Sequence, residues 1–549
     1  MSGGEALVRA AMANGITTLF GLPGAQIYPL FDAAQRLGLR LVVPRHEQTA
    51  GYMALGAAKA TGLPAAFAVV PGPGVLNAAA ALCTARGTCS PVVALVGQVP
   101  SSYLGKGRGH LHELPDQRAT LASFLKDALR APSAAEASAV VNRAFRTARS
   151  GRPGPVAVEM CWDDMAITMP ATIEPPAPLD PPPEPDPDAV EAAAALIAAA
   201  RKPMIMCGAG AQHAAAEVQA LAELLCAPVT AFRSGRGVVP EDHPLGVAAV
   251  AARELWDDVD LLIGVGSRLE MPYGRWGDMM RYAPEPQDGR KLVRIDIDPA
   301  EMTRFRPHVG IVADAAVACR QLVERLERRV DPDRNRVAEI AAAKATAARL
   351  IERIQPQAEY LRVIRAAVPR DGFLVPEVSQ VGFTSYTGAY PVLAPRTYVT
   401  EGHQGTLGFG FPTALGVKVA CPERVVVSVT GDGGFAFALA ELATAAQYRI
   451  ATVTLLFNNG AYANVLRDQQ TLFEGRVAGA LLENPDFVRL AESFGVAARR
   501  VRTPAELAPA LDAALASDAP ALIEIALERG SETSPWPLIH MPRRPSAVL

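Results

Sequence analysis

Two stretches in the last third of the chain decide the fold: RVVVSVTGDGG at residues 424–434 and TVTLLFNN at residues 452–459. In each, a run of β-branched and apolar residues ends directly at a polar motif, GDGG (431–434) in the first and NN (458–459) in the second. Such runs predict buried parallel strands, whose carboxyl ends bind ligands in open α/β sheets. Glycines let a backbone approach a phosphate, and aspartate and asparagine oxygens suit Mg²⁺. The pair therefore predicts a Mg²⁺-diphosphate site.

Working outward from these strands, the same alternation of short apolar runs and Ala/Leu-rich stretches divides the 549 residues into three pieces. The pieces are 1–170, 189–328 and 355–530. A proline-rich stretch at 174–188 separates the first two, and because proline fixes φ and lacks an amide hydrogen, we predict an extended surface linker there. Polar residues and an Ala-rich helix near 328–370 separate the second from the third. We predict an α/β protein of three doubly wound parallel-sheet domains.

Each piece contains several candidate strands. They are 17–20, 41–43, 65–70, 92–97 and 156–160 in the first piece, 203–207, 261–266 and 292–298 in the second, and 424–431, 452–459 and 521–527 in the third. Their alternation with helical stretches predicts parallel sheets covered on both faces, because a crossover helix joins successive parallel strands.

Composition excludes several classes of protein. The formal net charge of −3 gives no electrostatic case for nucleic acid or an anionic membrane. Seven cysteines without a CxxC pair predict free thiols in a reducing compartment, rather than a disulfide framework or a zinc site. The first residues lack the charged and apolar regions of a signal peptide, and no uncharged apolar run approaches about 20 residues. We therefore predict a cytoplasmic enzyme without nucleic-acid or membrane partners.

The spacing of the GDG and NN motifs resembles the signature of thiamine diphosphate-dependent enzymes. Six further motifs resemble the acetolactate synthase-like branch, the large catalytic subunits, in the same order. They are FGLPGAQIYPLFDA (20–33), RHEQTAGYMALGAAKATG (45–62), PGPGVLN (71–77), GQVP (97–100), RIDIDPAEM (294–302) and GTLGFGFPTALG (405–416). The resemblance covers nearly the whole chain. It implies an N-terminal pyrimidine-binding domain, a central domain and a C-terminal diphosphate-binding domain.

The resemblance also implies a metal site. Asp432 and Asn459 match the side-chain ligands of Mg²⁺, and the backbone carbonyl of Ala461 matches the third protein ligand. The amides of Gly433 and Gly434 are expected to face the diphosphate.

Further positions match residues that contact or shape the cofactor. Gln380 matches a glutamine that contacts the diphosphate, although Val381 stands where the family usually has histidine. Leu407 matches the large apolar residue that holds the cofactor in its bent V shape, and the carbonyl of Gly405 is expected to accept from the 4′-amino group. The cofactor-binding residues that the resemblance implies are Glu47, Pro73, Asn77, Gln380, Gln404, Gly405, Leu407, Gly431, Asp432, Gly433, Gly434, Asn459 and Ala461.

By the same resemblance Glu47 is the central catalytic residue. A carboxyl group in an apolar pocket has a raised pKa. Its hydrogen bond to N1′ of the aminopyrimidine favours the imino tautomer, which removes the C2 proton of the thiazolium. The cofactor supplies the carbanion chemistry, and the protein supplies this proton contact and the bent geometry. Pro73 and Asn77 match residues near the pyrimidine.

Substrate residues are expected in the segment KGRGHLHELPDQ (106–117), which follows GQV where the family reaches the reacting centre. His110, His112 and Glu113 are the candidates for acid–base catalysis, because histidine titrates near neutrality. Two ordinary surface histidines in a loop would give the same pattern, and the sequence leaves both interpretations open. His403 is expected close to the thiazolium.

Two departures from the synthase pattern bear on activity. Asp468 falls at about the position of a tryptophan that helps to select the 2-oxoacid acceptor, so the acceptor pocket must differ. The flavin-contacting run of the synthases is here SRLEMPYGR (267–275), in which Arg268 alone matches, and this weighs against FAD. The glycine pairs at 208–210 and 264–266 are interpreted as tight turns.

The leading hypothesis is thiamine diphosphate- and Mg²⁺-dependent decarboxylation of a 2-oxoacid with carboligation to a 2-hydroxyketone or acetohydroxyacid. The alternatives within the enzyme class are simple decarboxylation, cleavage of a 2-hydroxyketone, and a flavin-dependent oxidase. A catalytically silent structural or regulatory subunit is the alternative outside it, but such a chain should have lost Glu47, Asp432 or Asn459. The resemblance also implies a homodimer, paired into a homotetramer, with each cofactor between the N-terminal domain of one chain and the C-terminal domain of another.

Overall fold

The computed structural model describes residues 1–277 and 279–540, and three β-sheets organise the chain. Every strand pair within these sheets is parallel, and helices cover both faces of each sheet. The predicted fold class, three doubly wound α/β domains, is confirmed. Within the described residues, none of the helices combines the length and the apolar character that crossing a bilayer requires.

The N-terminal sheet has six strands. They are β1 (Thr18–Gly21), β2 (Arg40–Val42), β3 (Ala65–Val69), β4 (Val92–Gln98), β5 (Asp127–Arg130) and β6 (Val156–Cys161). The helices are α1 (Gly3–Ala13), α2 (Tyr28–Arg36), α3 (Glu47–Thr61), α4 (Pro73–Gly87), α5 (Gln117–Phe124), α6 (Ala134–Arg149) and α7 (Trp162–Ala166). The strand order is β2-β1-β3-β4-β6-β5. Phe67 and Val69 enter one hydrophobic cluster and Ala66 and Ala68 another, so both faces of β3 are buried.

The central sheet also has six strands. They are β7 (Pro203–Cys207), β8 (Val229–Thr230), β9 (Gly246–Val247), β10 (Leu261–Val265), β11 (Lys291–Asp296) and β12 (Val309–Val312). The helices are α8 (Pro187–Ala199), α9 (Ala215–Leu225), α10 (Ala249–Trp256), α11 (Ala300–Arg304) and α12 (Ala315–Leu326), followed by α13 (Arg336–Ile351). The strand order is β12-β11-β10-β7-β8-β9.

The proline-rich stretch at 174–188 is extended as far as Asp186, as predicted, and the last two residues already belong to α8. Asp186 caps this helix, and Pro187 occupies its first turn, where a missing amide hydrogen costs nothing. The stretch lies against α6, since Asn142 Nδ2 donates a 2.9 Å hydrogen bond to the Pro175 carbonyl. The connection is therefore held to the N-terminal domain.

The C-terminal sheet has five strands. They are β13 (Phe373–Pro376), β14 (Val426–Gly431), β15 (Val453–Asn458), β16 (Ala497–Val501) and β17 (Ala521–Ala526). The helices are α14 (Gln357–Ala367), α15 (Gln380–Thr384), α16 (Gly410–Ala420), α17 (Asp432–Phe435), α18 (Leu442–Gln447), α19 (Ala463–Leu472), α20 (Phe487–Ser493), α21 (Pro504–Ala516) and α22 (Trp536–Ile539). The strand order is β13-β14-β15-β17-β16. Because β14 and β15 are neighbours, GDGG and NN meet at one edge, as predicted.

Helices α3 and α16 join the N- and C-terminal domains at very short range. A Cβ on Gly56 would lie 2.2 Å from the Thr413 carbonyl oxygen, and one on Gly416 would lie 2.0 Å from the Met53 carbonyl oxygen. Eleven of the 15 residues of α3 are buried, and eight of these belong to a hydrophobic cluster that also contains residues of α16. The N-terminal and C-terminal domains therefore share one hydrophobic core.

Candidate active site

The edge where β14 and β15 end carries the predicted metal-binding aspartate. Asp432 begins α17 directly after β14 and is 2% exposed. Its Oδ2 accepts hydrogen bonds from the Gly460 amide at 2.9 Å and from Asn484 Nδ2 at 2.6 Å. Burial raises the pKa of Asp432, so a cation placed here would stabilise its charged form.

Asparagines surround this carboxylate. Asn484, which the sequence analysis did not identify, also donates to Asn458 Oδ1 at 2.9 Å. Asn459 Oδ1 accepts from the Ala461 amide at 3.1 Å. The predicted ligands therefore lie in a cluster of amide and carboxylate oxygens, the donor set that suits Mg²⁺.

A segment near the C-terminus covers this cluster. Arg529 Nη2 donates to the Gly460 carbonyl at 3.0 Å, and Glu532 accepts a hydrogen bond from Asn459 Nδ2. Burial raises the pKa of Glu532 to about 7, and the charge of Asp432 raises it too. No local pattern identifies Glu532 as a site residue, because it lies 73 residues from its partner Asn459.

A second unpredicted carboxylate, Glu377, organises the glycines around the site. It follows β13 and is fully buried, and burial raises its pKa to about 7. Glu377 accepts hydrogen bonds from Thr430 Oγ1 at 2.7 Å, from the Gly410 amide at 3.3 Å and from the Gly408 amide. A Cβ on Gly434 would lie 2.3 Å from its Oε1, so the GDGG turn leaves no room for a side chain there.

Gln380, the predicted diphosphate contact, begins α15 after the capping residue Ser379. The Ser379 Cβ would lie 3.3 Å from a Cβ on Gly431, which places α15 beside the GDGG turn. Gln380 is buried, yet its Oε1 has no hydrogen-bond partner among the described residues. That oxygen only accepts hydrogen bonds, so a diphosphate would be met by the NH₂ end of Gln380 instead. The glycine turn at the start of α17, beside the carboxylate of Asp432 and the amide oxygens of Asn458 and Asn459, is what fits a metal-bound diphosphate.

The loop between β13 and α16 carries two more predicted positions. Gly405 has φ 58°, in the region that favours glycine, and no atoms crowd its Cβ position. Leu407 is half-buried. The Thr406 hydroxyl lies 3.3 Å from that of Thr84 on α4, so this loop contacts the N-terminal domain of its own chain.

Glu47 begins α3, one residue after the capping residue His46, whose Nδ1 accepts from the Gln48 amide at 3.1 Å. Asn77 Nδ2 donates a 3.0 Å hydrogen bond to Glu47 Oε2, and Pro73 begins the helix that carries Asn77. The structure thus brings Glu47 and Asn77 together, and places Pro73 four residues before Asn77 on the same helix. Glu47 is half-buried, so one chain alone does not enclose it in the expected apolar pocket.

The turn that precedes the predicted catalytic glutamate is anchored in the C-terminal domain. The Arg45 amide donates to both carboxylate oxygens of Glu441, at 3.1 and 3.0 Å, and the Val43 amide donates to the Tyr448 hydroxyl at 3.0 Å. Thr444 Oγ1 donates a further 2.6 Å hydrogen bond to Glu441. Burial raises the pKa of Glu441.

Within the predicted substrate segment, Glu113 closes the loop. Its two oxygens accept from the Gly107 amide at 3.0 Å and from the His110 amide at 2.9 Å, and hydrogen bonds from His110 and its neighbours lower the pKa of Glu113. A carboxylate with these hydrogen bonds stays ionised near neutral pH, so it has no proton to donate as a general acid. The His110 ring packs on Tyr103 with centroids 4.6 Å apart.

His112, by contrast, points its ring into the domain. Its Nδ1 lies 3.0 Å from Oε1 of the buried Gln26, and its own φ is 65°. The His112 carbonyl oxygen lies 2.5 Å from the Cβ position of Gly72, the residue that precedes α4. This contact places His112 against the turn that leads to Asn77.

Three protein-family models match the chain in order. Their descriptions are thiamine pyrophosphate enzyme, N-terminal TPP binding domain (residues 1–120), central domain (190–322) and C-terminal TPP binding domain (380–525). Over 543 residues the chain is 34% identical to the probable 2-ketoarginine decarboxylase AruI of Pseudomonas aeruginosa, covering 96% of this chain and 94% of that protein. The chain belongs to the thiamine pyrophosphate enzyme family.

Synthases are also among its relatives. The chain is 33% identical over 554 residues to a probable acetolactate synthase large subunit of Methanocaldococcus jannaschii, covering 96% of this chain and 92% of that protein. It is 31% identical over 571 residues to the large subunit of acetolactate synthase isozyme 2 of Escherichia coli, covering 98% and 97%. The resemblance to acetolactate synthase-like enzymes is confirmed. The chain is an enzyme that acts on C–C bonds, and its family cofactor is thiamine pyrophosphate, another name for thiamine diphosphate.

In this thiamine pyrophosphate enzyme, His403 and Gln404 lie against the end of α4. Their Cε1 and Cγ atoms are 3.0 and 3.2 Å from the Cβ position of Gly87. The His403 Nδ1 is 2.5 Å from Arg268 Nη1, and burial, with the charge of Arg268, lowers the pKa of His403. His403 therefore faces Arg268 of the central domain and sits where the three domains of the chain meet.

A cleft of about 390 Å³ opens at this junction. Gly208, Gly210 and Gly266 of the central domain line it, and a Cβ on Gly208 would lie 2.1 Å from the Gly266 carbonyl oxygen. Backbones this close agree with the interpretation of 208–210 as a tight turn. In the second pair Gly264 belongs to β10, and only Gly266 lies in the turn that follows the strand.

The position of the synthase tryptophan lies on α19, the helix after the second motif. Asp468 Oδ1 accepts from Arg467 Nη2 at 2.6 Å, and Oδ2 accepts from Asn464 Nδ2 at 3.3 Å. Trp536 Nε1 donates to Asn464 Oδ1, so the segment near the C-terminus also reaches this helix. An ion pair thus occupies the position at which the resemblance places the acceptor-selecting residue.

Proposed function

We propose that this chain uses thiamine pyrophosphate and Mg²⁺ to decarboxylate a 2-oxoacid and to join the remaining fragment to a carbonyl acceptor. The observation that carries the proposal is the cluster of Asp432, Asn458 and Asn484 at the ends of β14 and β15, with Asn459 next along the chain. It combines buried negative charge with amide oxygens beside a glycine turn, which is the chemistry that a metal-bound diphosphate requires.

The bound cofactor would supply the carbon nucleophile and the electron sink for the departing CO₂. Asp432, Asn459 and the Ala461 carbonyl would hold Mg²⁺. Glu47, oriented by its hydrogen bond from Asn77, would hold a proton at the pyrimidine nitrogen N1′.

The remaining predicted positions would shape the same site. The amides of Gly433 and Gly434 would face the diphosphate, and the NH₂ end of Gln380 would donate to it. Leu407 would supply the large apolar side chain that supports the bent cofactor.

Release of an aldehyde is the second candidate function. Asp468 and its ion pair replace the acceptor-selecting tryptophan, and a charged pair changes which acceptor can approach. The relative AruI is a probable 2-ketoarginine decarboxylase, so both outcomes occur among similar chains. Cleavage of a 2-hydroxyketone is the reverse of ligation and would use the same groups.

A site shared between two chains is part of the proposal. The half-buried Glu47 needs a second surface to enclose it, and the C-terminal domain of a partner chain in a homodimer or homotetramer would provide one. All seven cysteines are free thiols, in keeping with a reducing cytoplasm.

A panel of 2-oxoacids, incubated with the full chain, thiamine pyrophosphate and Mg²⁺, tests the function. We expect CO₂ release, with 2-hydroxyketones as the main products if ligation is correct and aldehydes if the second candidate is. Glu47→Gln is the matched control: it should keep cofactor binding and lose about 100-fold or more in rate, because an amide cannot hold the proton. Failure of every 2-oxoacid to release CO₂ would contradict the proposal.

A further inference from the structure

Gln26 is a buried glutamine whose side-chain amide forms a hydrogen bond through both its nitrogen and its oxygen. It is fully buried in the 3₁₀ turn Ala25–Ile27, ahead of α2. Its Nε2 donates a 2.8 Å hydrogen bond to the Leu111 carbonyl, and its Oε1 lies 3.0 Å from His112 Nδ1. The Gln26 side chain thus forms hydrogen bonds to two consecutive residues of the substrate segment, Leu111 and His112.

These two contacts decide which nitrogen of His112 carries the hydrogen. A carbonyl oxygen only accepts, so the Leu111 carbonyl requires the NH₂ end of Gln26 to face it. The oxygen end of Gln26 must then face His112, and it can only accept from Nδ1–H. The neutral ring is therefore the Nδ1–H tautomer, with the lone pair on Nε2.

Two further contacts place this ring beside the pyrimidine end of the site. The His112 backbone packs on Gly72, and the Gly72 amide donates a 3.0 Å hydrogen bond to Oε1 of the buried Gln117. Gly72 directly precedes α4, whose Asn77 contacts Glu47. The left-handed φ of His112, rare for a side-chain-bearing residue, is held by this packing.

We propose that Gln26 is a positioning residue that fixes the tautomer of His112, so that Nε2 of His112 exchanges a proton with the substrate. In its protonated form the ring gives the Nε2 proton to the atom that gains an electron pair, and it regains a proton from water. This role rests on the proposed function, whereas the tautomer itself does not depend on any substrate.

The tautomer is measured by NMR on the full-length chain with ¹⁵N-labelled histidine. The chain has eight histidines, and the signals missing from His112→Gln identify His112. We expect the Nδ1–H pattern in the wild type and a mixture of tautomers in Gln26→Met, which has no hydrogen-bonding amide. An Nε2–H pattern in the wild type would overturn the proposal. Because no substrate is needed, this result stands even if the proposed function fails.

Steady-state kinetics test the positioning role. Gln26→Met should lower kcat about 10-fold or more with KM nearly unchanged. Gln26→Glu keeps an acceptor for Nδ1–H and should move the ionisation of His112 in the pH profile of kcat to higher pH, because a carboxylate stabilises the imidazolium. Gln219→Met, on α9 of the central domain, is the matched control and should leave both constants unchanged.

A double-mutant cycle separates positioning from general structure. If Gln26 acts through His112, Gln26→Met should cause no further loss of kcat in the His112→Gln background. An equal loss in both backgrounds, or a Gln26→Met enzyme with the wild-type pH profile, would mean that Gln26 only supports the fold and would overturn the proposal.

Discussion

At Asp432, the neighbours stabilise a negative charge without neutralising it. The hydrogen bonds to its Oδ2 come from a backbone amide, that of Gly460, and from the neutral side chain of Asn484. Burial raises the pKa of this aspartate, so the charged form is unfavourable in the chain alone. A divalent cation would remove that penalty, which makes metal and diphosphate binding interdependent.

Replacing the carboxylate tests this interdependence. Asp432→Ala should weaken Mg²⁺-dependent binding of thiamine pyrophosphate at least about 100-fold, because the diphosphate loses its bridge to the protein. Isothermal titration calorimetry with and without Mg²⁺ measures the effect. Asp512→Ala, an exposed aspartate on α21, is the control. If Asp432→Ala bound thiamine pyrophosphate with wild-type affinity in the presence of Mg²⁺, the assignment of Asp432 as a metal ligand would be wrong.

Glu377 predicts a dependence of stability on pH. Its pKa is about 7 in the folded chain, against an ordinary value of 4.5. The folded chain therefore holds a proton on Glu377 that the unfolded chain releases from pH 4.5 upward, and stability falls as the pH rises through this window to about 7. Glu377→Gln has no proton to lose, so its melting temperature relative to wild type should rise between pH 5 and pH 8.

The size of this effect is about 1–3 kcal/mol in unfolding free energy. Differential scanning calorimetry at matched ionic strength measures it, and Glu532 contributes equally to both proteins because neither changes it. A melting-temperature difference that stays constant over this pH range would show that Glu377 is ionised throughout.

The metal-site residues that the amino-acid pattern itself predicts are those at the end of a strand, and the other positions were predicted from the family resemblance. Asp432 and Asn459 each lie at the end of an apolar run, and this position predicts ligand binding at the edge of the sheet. Asn484 lies 52 residues after its partner Asp432, in a stretch without such a run, and only the folded chain brings it close. Glu377 lies three residues before Gln380. From the sequence, an acidic side chain is expected to be exposed, and only the structure shows that Glu377 is buried.

Among the secondary-structure elements, a strand was predictable where its sequence is an apolar run uninterrupted by charged residues, glycine or proline. In β14 and β15 nearly every residue is buried, which gives a continuous apolar run. The edge strands β5 and β16 expose most of their residues in whole or part, and their arginines break any such run, so they were not predicted. Four more were missed: β8 and β9 have two residues each, β12 contains glycine and β13 ends in proline.

The contact between α3 and α16 predicts a strong effect of a single methyl group. In Gly416→Ala the new Cβ would meet the Met53 carbonyl oxygen at 2.0 Å, and backbone cannot rotate away as a side chain can. We expect a loss of about 1–3 kcal/mol in stability, seen as a lower melting temperature. Gly274→Ala, whose Cβ would meet only a side-chain carbon at 3.9 Å, is the control. Equal melting temperatures for the two variants would contradict the packing argument.

At the scale of the whole molecule, the proposed site needs two chains. Glu47 belongs to the N-terminal domain and Asp432 to the C-terminal domain, and a two-fold dimer would pair each with its counterpart from the other chain. Two inactive variants can then repair each other. In a heterodimer of Glu47→Gln and Asp432→Ala chains, one site holds both wild-type residues and the other holds neither.

Complementation measures this directly. Mixing equal amounts of the two variants, after dissociation and reassociation, should restore about a quarter of wild-type activity, since half of the dimers are mixed and each has one intact site. Mass spectrometry verifies chain exchange, and each variant reassociated alone is the control. Complete exchange without recovered activity would refute the shared site.

The anchoring of the turn before Glu47 also sets an order of events at the ribosome. The Arg45 amide donates to Glu441, which is synthesised 396 residues later. The face of α3 that packs on α16 likewise stays uncovered until α16 has been synthesised. N-terminal domains emerge and fold first during synthesis. During most of translation, the first domain therefore presents an apolar helix and an unanchored catalytic turn, and we expect the nascent chain to need chaperone shielding until its last third is complete.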